Sequence, residues 1–193
     1  MGELTGLKDY LDQNYDRSIF DQAKESGLAY MIHMHGHKNA QAKIRENLIY
    51  DIRAEIEGKE DIIQKIEIKF LYPAEQKESV VPLLKEDKKV KDLGLEPITR
   101  PNARFFVKNK SLFPLMKENE VVFFTLLEGD LIRGVITGFS RYEITINLKG
   151  GVPLTILRHS IYDLRNKKGR CFLKSFQEER RDWQKSKLYV KEN

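Results

Sequence analysis

Cysteine occurs once in the 193 residues, at Cys171. A single thiol excludes an internal disulfide framework and a cysteine-built zinc site. Its neighbour Arg170 would lower the thiol pKa, but a small buried hydrophobe is the simpler reading. No phosphate-cradling glycine loop, nucleophile elbow or paired-cysteine motif occurs, so no catalytic constellation is legible. No apolar run approaches the roughly 20 residues of a membrane-spanning helix. The opening, MGELTGLKDYLDQNYD, is acidic and polar, unlike a secretory leader. The sequence therefore reads as a soluble cytoplasmic protein, not an enzyme, with no cofactor.

What is present suffices for a folded core. Hydrophobic residues make up 40% and charged residues 33%, with ten Phe and eight Tyr, a balance unlike that of disordered chains. The net charge of +5 is uneven. From Arg165 to Asn193 there are ten Lys/Arg against four Asp/Glu, so the rest of the chain is close to neutral. A basic tail is either a phosphate contact or a solvated helix.

Leu7, Leu11, Tyr15, Ile19 and Ala23 recur every fourth residue and predict a helical opening that stops at Gly27. LAYMIHMHGHK follows, apolar and then His-rich. NAQAKIREN predicts a short helix capped by Asn39. IYDIRAEIEG and IIQKIEIKF alternate with period two, as half-buried strands do. Gly94, Pro97 and Pro101 punctuate a linker. SLFPLMKEN predicts a helix, and VVFFTLLEG, LIRGVITGF, YEITINL and VPLTILRHSIYDL predict successive strands. Links this short imply an antiparallel, bent meander. The tail, CFLKSFQEERRDWQKSK, predicts a helix with Phe172, Phe176 and Trp183 on one face.

Two segments correspond in order: REN, LIYDIRAEIEG, IIQKIEIKF, VVPLL, KDL and KEN, EVVFFTLLEG, LIRGVITGF, GVPLT, YDL. They align Gly58 with Gly129 and Pro82 with Pro153, a diverged duplication. The predicted organisation is a helical segment at 1–38, a first unit at 39–98, a linker at 99–110, a second unit at 111–165 and a basic tail at 166–193.

The second copy carries LLEGDLIRGVITGFSRYEITINL and then ILRHSIYDL. Gly129, Gly134, Phe139, Tyr142, Arg158, His159, Ser160 and Ile161 fall at characteristic spacings. From Leu112 to Leu164, about a quarter of the chain, it resembles the bacterial Sm-like RNA chaperone Hfq family. The resemblance implies a mainly β fold with flanking helices: tandem bent, five-stranded open barrels whose exposed edges pair between neighbours into a ring. Gly134 inside a strand pattern fits the sharp bend, and open edges fit the pairing. Three tandem chains would supply six units; alternatively six chains would use only the second copy.

The resemblance also implies a uridine-binding pore at Arg141, Tyr142, Arg158 and His159. A tyrosine ring offers a stacking face, and the basic groups donate to base edges and phosphate. Arg158 stands where the family usually has lysine. Arg141 and Ser140 replace a glutamine and an aspartate, which raises the positive charge. The family's adenine-binding face would need an aromatic at Thr125 and an apolar residue at Asp130; both are missing. Of the family's basic rim, only Lys117 remains. Arg165, Lys167, Lys168 and Arg170 in the tail, with Arg180 and Arg181, are candidate replacements. In the first copy Asp87-Lys88 stands at the pore pair, so that copy is predicted to be structural. The function implied is binding of uridine-rich single-stranded RNA at a ring pore; the rival is a ring-forming protein scaffold that has lost RNA binding. His33, His35 and His37 alternate and would share one strand face as metal ligands, but they have no nearby carboxylate or thiol, so incidental surface histidines are preferred.

Overall fold

The computed structural model describes residues 2–191. Its first helical stretch is two helices, α1 (Leu7–Asn14) and α2 (Ile19–Ser26), where the periodicity predicted one. Ser18 divides them: its backbone is extended and its hydroxyl accepts from the Phe20 N–H, a helix N-cap. Gly27 ends α2 in the left-handed region at φ 64.

Five strands follow: β1 is the short Glu3–Leu4 segment before α1, then β2 (Ala29–Met34), β3 (Lys38–Asn47), β4 (Asp51–Ile56), β5 (Lys59–Gln64) and β6 (Ile68–Pro73) run on from α2. The predicted helix at NAQAKIREN is strand β3. Ala42 and Ile44 are buried while Gln41, Lys43 and Arg45 are exposed, a period of two. A connecting segment holds α3 (Lys77–Val80), β7 (Lys85–Glu86) and α4 (Lys88–Lys91). The second half comprises α5 (Asn109–Lys117), β8 (Val121–Leu126), β9 (Asp130–Phe139), β10 (Glu143–Asn147), β11 (Pro153–Leu157) and β12 (Ile161–Asn166). The tail adds α6 (Lys174–Arg180) and β13 (Tyr189–Val190), which pairs with β1.

The protein is thus mainly β, with one large antiparallel sheet and several helices. The strand order is β12-β8-β9-β10-β11-β6-β2-β3-β4-β5, with β7 against β9. That order contains the same pattern twice: a helix, then five strands arranged fifth, first, second, third, fourth. One copy is α2 with β2–β6, the other α5 with β8–β12. The copies meet where β11 pairs with β6, through Thr155↔Leu71 and Ile156↔Phe70.

The duplication is real in topology, but its register differs from the predicted one. Pairing sets Ala29 at the place of Val121, and the extra residue of the bulge opposite the third strand is Arg45 in one half and Thr137 in the other. Both pairs are 92 positions apart. After the third strand the offset is 93, and the bulged residues Lys69 and Tyr162 correspond. The first repeated unit therefore spans 19–73, where 39–98 was predicted. The predicted alignment was drawn to turn glycines that close different hairpins: Gly58 joins the third and fourth strands, Gly129 the first and second.

Each half has its own apolar cluster. The larger, around Phe124, Ile132, Ile144 and Leu164, also takes in Phe70 and Tyr72 of β6 and Cys171, Phe172 and Leu173 of the tail. The smaller is built on Phe20, Ile32, Ile52 and Ile68 and includes the small residues Ala42 and Ala54. The tail is therefore part of the fold and not a solvated appendage. Phe172 is buried and Trp183 packs on the core, whereas Phe176 points to solvent, so the three do not share a face. Among the described residues no helix is long and apolar enough to cross a membrane.

Candidate nucleic-acid interface

The turn between β9 and β10 places Arg141 and Tyr142 at the surface. It closes with the Ser140 N–H donating to the Glu143 carbonyl at 2.9 Å. The Tyr142 ring is 62% exposed. The Arg141 guanidinium lies 5.2 Å from the Tyr142 ring centre and 6.0 Å from that of Tyr15, at the end of α1. The Arg141 N–H donates to the Tyr15 carbonyl at 2.8 Å. A cation held over aromatic faces in this way keeps its charge available while its stem is ordered.

The loop after β11 approaches the same turn. The Arg158 N–H donates to the Tyr142 carbonyl at 2.9 Å. Its guanidinium, however, turns inward, to Asn109 Oδ1 at 3.0 Å and over the Phe139 ring at 5.5 Å. Burial pushes its pKa down to about 10. His159 also turns inward, with Nε2 2.9 Å from the Ile68 carbonyl of the first half. Burial pushes its pKa down to about 4, so it is a neutral hydrogen-bonding group at neutral pH. The structure thus brings Arg141, Tyr142, Arg158 and His159 together, two on the surface and two turned inward, Arg158 against α5 and β9 and His159 against the first half.

The 92- and 93-residue offsets put Tyr50 at the place of Tyr142 and Lys65 at that of Arg158. The hydrogen bonds repeat: the Lys65 N–H donates to the Tyr50 carbonyl at 2.9 Å, and Leu48 N–H to the Asp51 carbonyl at 3.0 Å. Tyr50 is 80% exposed and Ile49 84%. The first half therefore has its own aromatic and basic pair, with Ile66 in place of the histidine. Asp87-Lys88, where that pair was sought, is instead the start of α4, with Asp87 capping the Lys89 N–H at 3.0 Å. The Lys65 ammonium bonds the Leu48 and Ile49 carbonyls and sits over the Phe20 ring. Burial lowers its pKa, against the pull of Asp21, Glu143 and Asp51.

Glu143 connects this surface to α2. Its carboxylate accepts from the Ile19 N–H at 2.7 Å and the Ser18 hydroxyl at 3.1 Å. Between α1, α2 and the β9–β10 turn lies a polar cleft of about 220 Å³, lined by Asn14, Arg17, Gln22, Ser140 and Glu143 among others.

The remaining candidates lie elsewhere. Lys117 rests 5.5 Å from the Phe113 ring centre. Arg165 pairs with Asp163, and Arg170 with the buried Asp182 at 3.1 Å. Lys167 and Lys168 occupy an exposed turn after β12. Asp130 pairs with Lys69 at 2.7 Å, and β7 pairs with the start of β9 through Glu86↔Asp130. The histidines do not share a strand face. His33 stacks on Phe70, His35 is buried in the β2–β3 turn, and His37 is exposed at φ 54. No group of three or more His, Cys, Asp or Glu among the described residues has the geometry to hold a metal ion. Burial pushes the Cys171 thiol up to about 11, which makes it unreactive.

Compared with known proteins, the sequence matches no family model and no curated protein.

Proposed function

We propose that the chain is a tandem Sm-like RNA-binding protein of the cytoplasm, without catalytic activity. It holds uridine-rich single-stranded RNA on the turns that carry Tyr142 and Tyr50. The observation that carries this reading is the twofold recurrence of one local design: an exposed tyrosine whose carbonyl is held by the backbone N–H of a basic residue one strand pair away. Bases stack on exposed aromatic rings, and sequence-tolerant stacking needs a row of them. Arg141 supplies positive charge beside Tyr142, and Arg17 lines the adjoining cleft. Arg158 and His159 act from behind as positioning residues, because their side chains turn inward, to Asn109 and to the Ile68 carbonyl. The missing adenine signature favours uridine over adenine.

The test is binding of labelled oligouridine and oligoadenosine across a salt series. Tyr142→Ala and Tyr50→Ala are each expected to weaken oligouridine binding by about 1–3 kcal/mol. Arg141→Ala is expected to make the plot of log affinity against log salt shallower. Oligouridine affinity equal to that of the parent in both tyrosine variants would overturn the RNA reading. The protein-scaffold reading then gains weight, since Ile49, Tyr50 and Ile62 are exposed apolar side chains on the first half.

A further inference from the structure

The two halves hold each other by an edge that also exists elsewhere in the molecule. On β6, one edge pairs with β2 and the other receives β11, with Leu71 opposite Thr155. The counterpart of β6 is β12, and the counterpart of Leu71, 93 positions on, is Leu164. The inner edge of β12 pairs with β8. Its outer edge is not free. The Phe172 N–H donates to the Leu164 carbonyl at 2.8 Å, the Asn166 N–H donates to the Arg170 carbonyl at 3.1 Å, and Arg165 bridges Cys171. The chain's own tail thus sits where, in the other half, a strand of the neighbouring unit sits.

The return is built by a tight turn. Asn166 Oδ1 accepts from the N–H groups of Lys168 at 3.0 Å and Arg170 at 3.1 Å, and Gly169 adopts φ 73. A second layer backs it, with Val107 bridging Leu173 and the Lys174 N–H donating to the Phe106 carbonyl. At the far end of the sheet β5, the counterpart of β11, pairs with β4 alone among the described residues. Ile62, which corresponds to Thr155, is 57% exposed there.

We propose that Arg170–Leu173 is an edge cap that keeps this chain from pairing head to tail with a second copy. When the cap lifts, the outer edge of β12 takes the β5 strand of another copy in the register that β6 and β11 already use. Such a contact is heterologous: it closes into a ring or runs on as a filament, depending on the rotation per step. Three chains joined in this way would make the six units of the expected ring. Covering one of two open edges is a common protection against uncontrolled strand pairing. The inference rests on the internal repeat alone and stands or falls independently of RNA binding.

Light scattering with size-exclusion chromatography tests it. The parent protein is expected to give the mass of one chain, 22.6 kDa, throughout the micromolar range. Gly169→Val loosens the turn without a clash, because a side chain there meets nothing within 4 Å but is strained at positive φ. Its mass is expected to at least double as concentration rises. Adding Ile62→Asp, which sets a carboxylate opposite the buried Leu164 of the other copy, is expected to restore the single-chain mass. A parent protein heavier than one chain overturns the cap. So does a folded Gly169→Val protein that stays at one-chain mass at every concentration. If circular dichroism shows that Gly169→Val is unfolded, Asn166→Ala removes the oxygen that accepts both turn hydrogen bonds and is judged by the same outcomes.

Discussion

The two halves share one topology and one set of bulges, yet they treat the same position oppositely. Arg158 is folded inward against Asn109 and Phe139, and its counterpart Lys65 reaches the carbonyls of the β3–β4 loop and the Phe20 ring. The fourth strand of the second half is covered by β6; that of the first half, β5, is bare on one side. At the sheet edge the difference comes from what lies next to each unit; at the basic residue it comes from the unit itself, from α5 and β9 in one half and α2 in the other.

The largest expected effect strikes the joint. Lys69 is 2% exposed and reaches from β6 to Glu128 at 2.6 Å and Asp130 at 2.7 Å in the second half. Burial raises the Glu128 pKa, but Lys69 and the Gly36 N–H more than offset it and leave it below its ordinary value. The counterpart, Tyr162, merely packs its ring on Phe105. Lys69→Met strands two partly buried carboxylates, and stability in urea is expected to fall by about 3–5 kcal/mol. Adding Glu128→Gln and Asp130→Asn should recover most of the loss. A loss under about 1 kcal/mol for Lys69→Met, the size of an exposed pair, would show that the halves do not depend on this staple.

The tail ranks next, because only the second half has one. Cys171, Phe172 and Leu173 belong to the core of that half. Phe172→Ala is expected to cost about 3–5 kcal/mol, the range for large core truncations. Removal of every residue from Lys167 should abolish a cooperative thermal melt. Composition suggested the reverse, a dispensable basic extension. A truncated protein that melts cooperatively near the parent temperature would restore that view and separate the tail from the rest of the fold.

What was legible follows from the range of each signal. Strand alternation, the Gly27 stop and the presence of a duplication are local or pattern-level properties, and the chain displays them openly. Strand β3 was misread because Asn39 and alanine-rich NAQAK mimic a capped helix, whereas its fate was set by pairing with β2 and β4. The repeat register was lost because glycines and prolines are shared by every hairpin. The better guide lay in Leu48-Ile49-Tyr50-Asp51-Ile52 beside Ser140-Arg141-Tyr142-Glu143-Ile144, followed by Lys65 and Arg158 at distances that differ by one residue. That alignment would have found Tyr50 and Lys65. Tyr15 had no such signal, since α1 belongs to neither repeat. Nor did the inward turn of Arg158 and His159, which depends on a neighbour no local motif reveals.

A pH series sharpens the comparison at the residue after each tyrosine. Glu143 is 7% exposed, whereas Asp51 at the same place is only partly buried. Burial pushes the Glu143 pKa up to about 7, partly opposed by the Ile19 and Ser18 hydrogen bonds. The folded protein therefore keeps a proton that the unfolded chain loses near pH 4.5. Stability contributed by that proton is complete below the unfolded pKa and disappears as pH rises through 7, by up to about 3 kcal/mol. Glu143→Gln keeps an acceptor for the Ile19 N–H and carries no charge, so its stability should be flatter between pH 5 and 8. A parent protein equally flat across that window would mean that Glu143 stays ionised at the α2 N-terminus.

The smallest effect is also the cleanest contrast, because it exchanges one methyl group between equivalent positions. Gly134 lies in β9 close against β10, and a Cβ there would come within 2.7 Å of the Asn147 carbonyl and 3.1 Å of the Ile146 side chain. The first half has Ala42 at that position, fully buried. A backbone carbonyl cannot yield as a flexible side chain can, so Gly134→Ala is expected to cost about 1–3 kcal/mol, as overpacking does. The reverse change, Ala42→Gly, removes a packed methyl group and frees the unfolded backbone, for a loss of about 1 kcal/mol. Both single changes should therefore destabilise, the first more than the second. If Gly134→Ala were neutral, β9 would make room for the methyl group as easily as β3 does, and the two halves would differ only in what surrounds them.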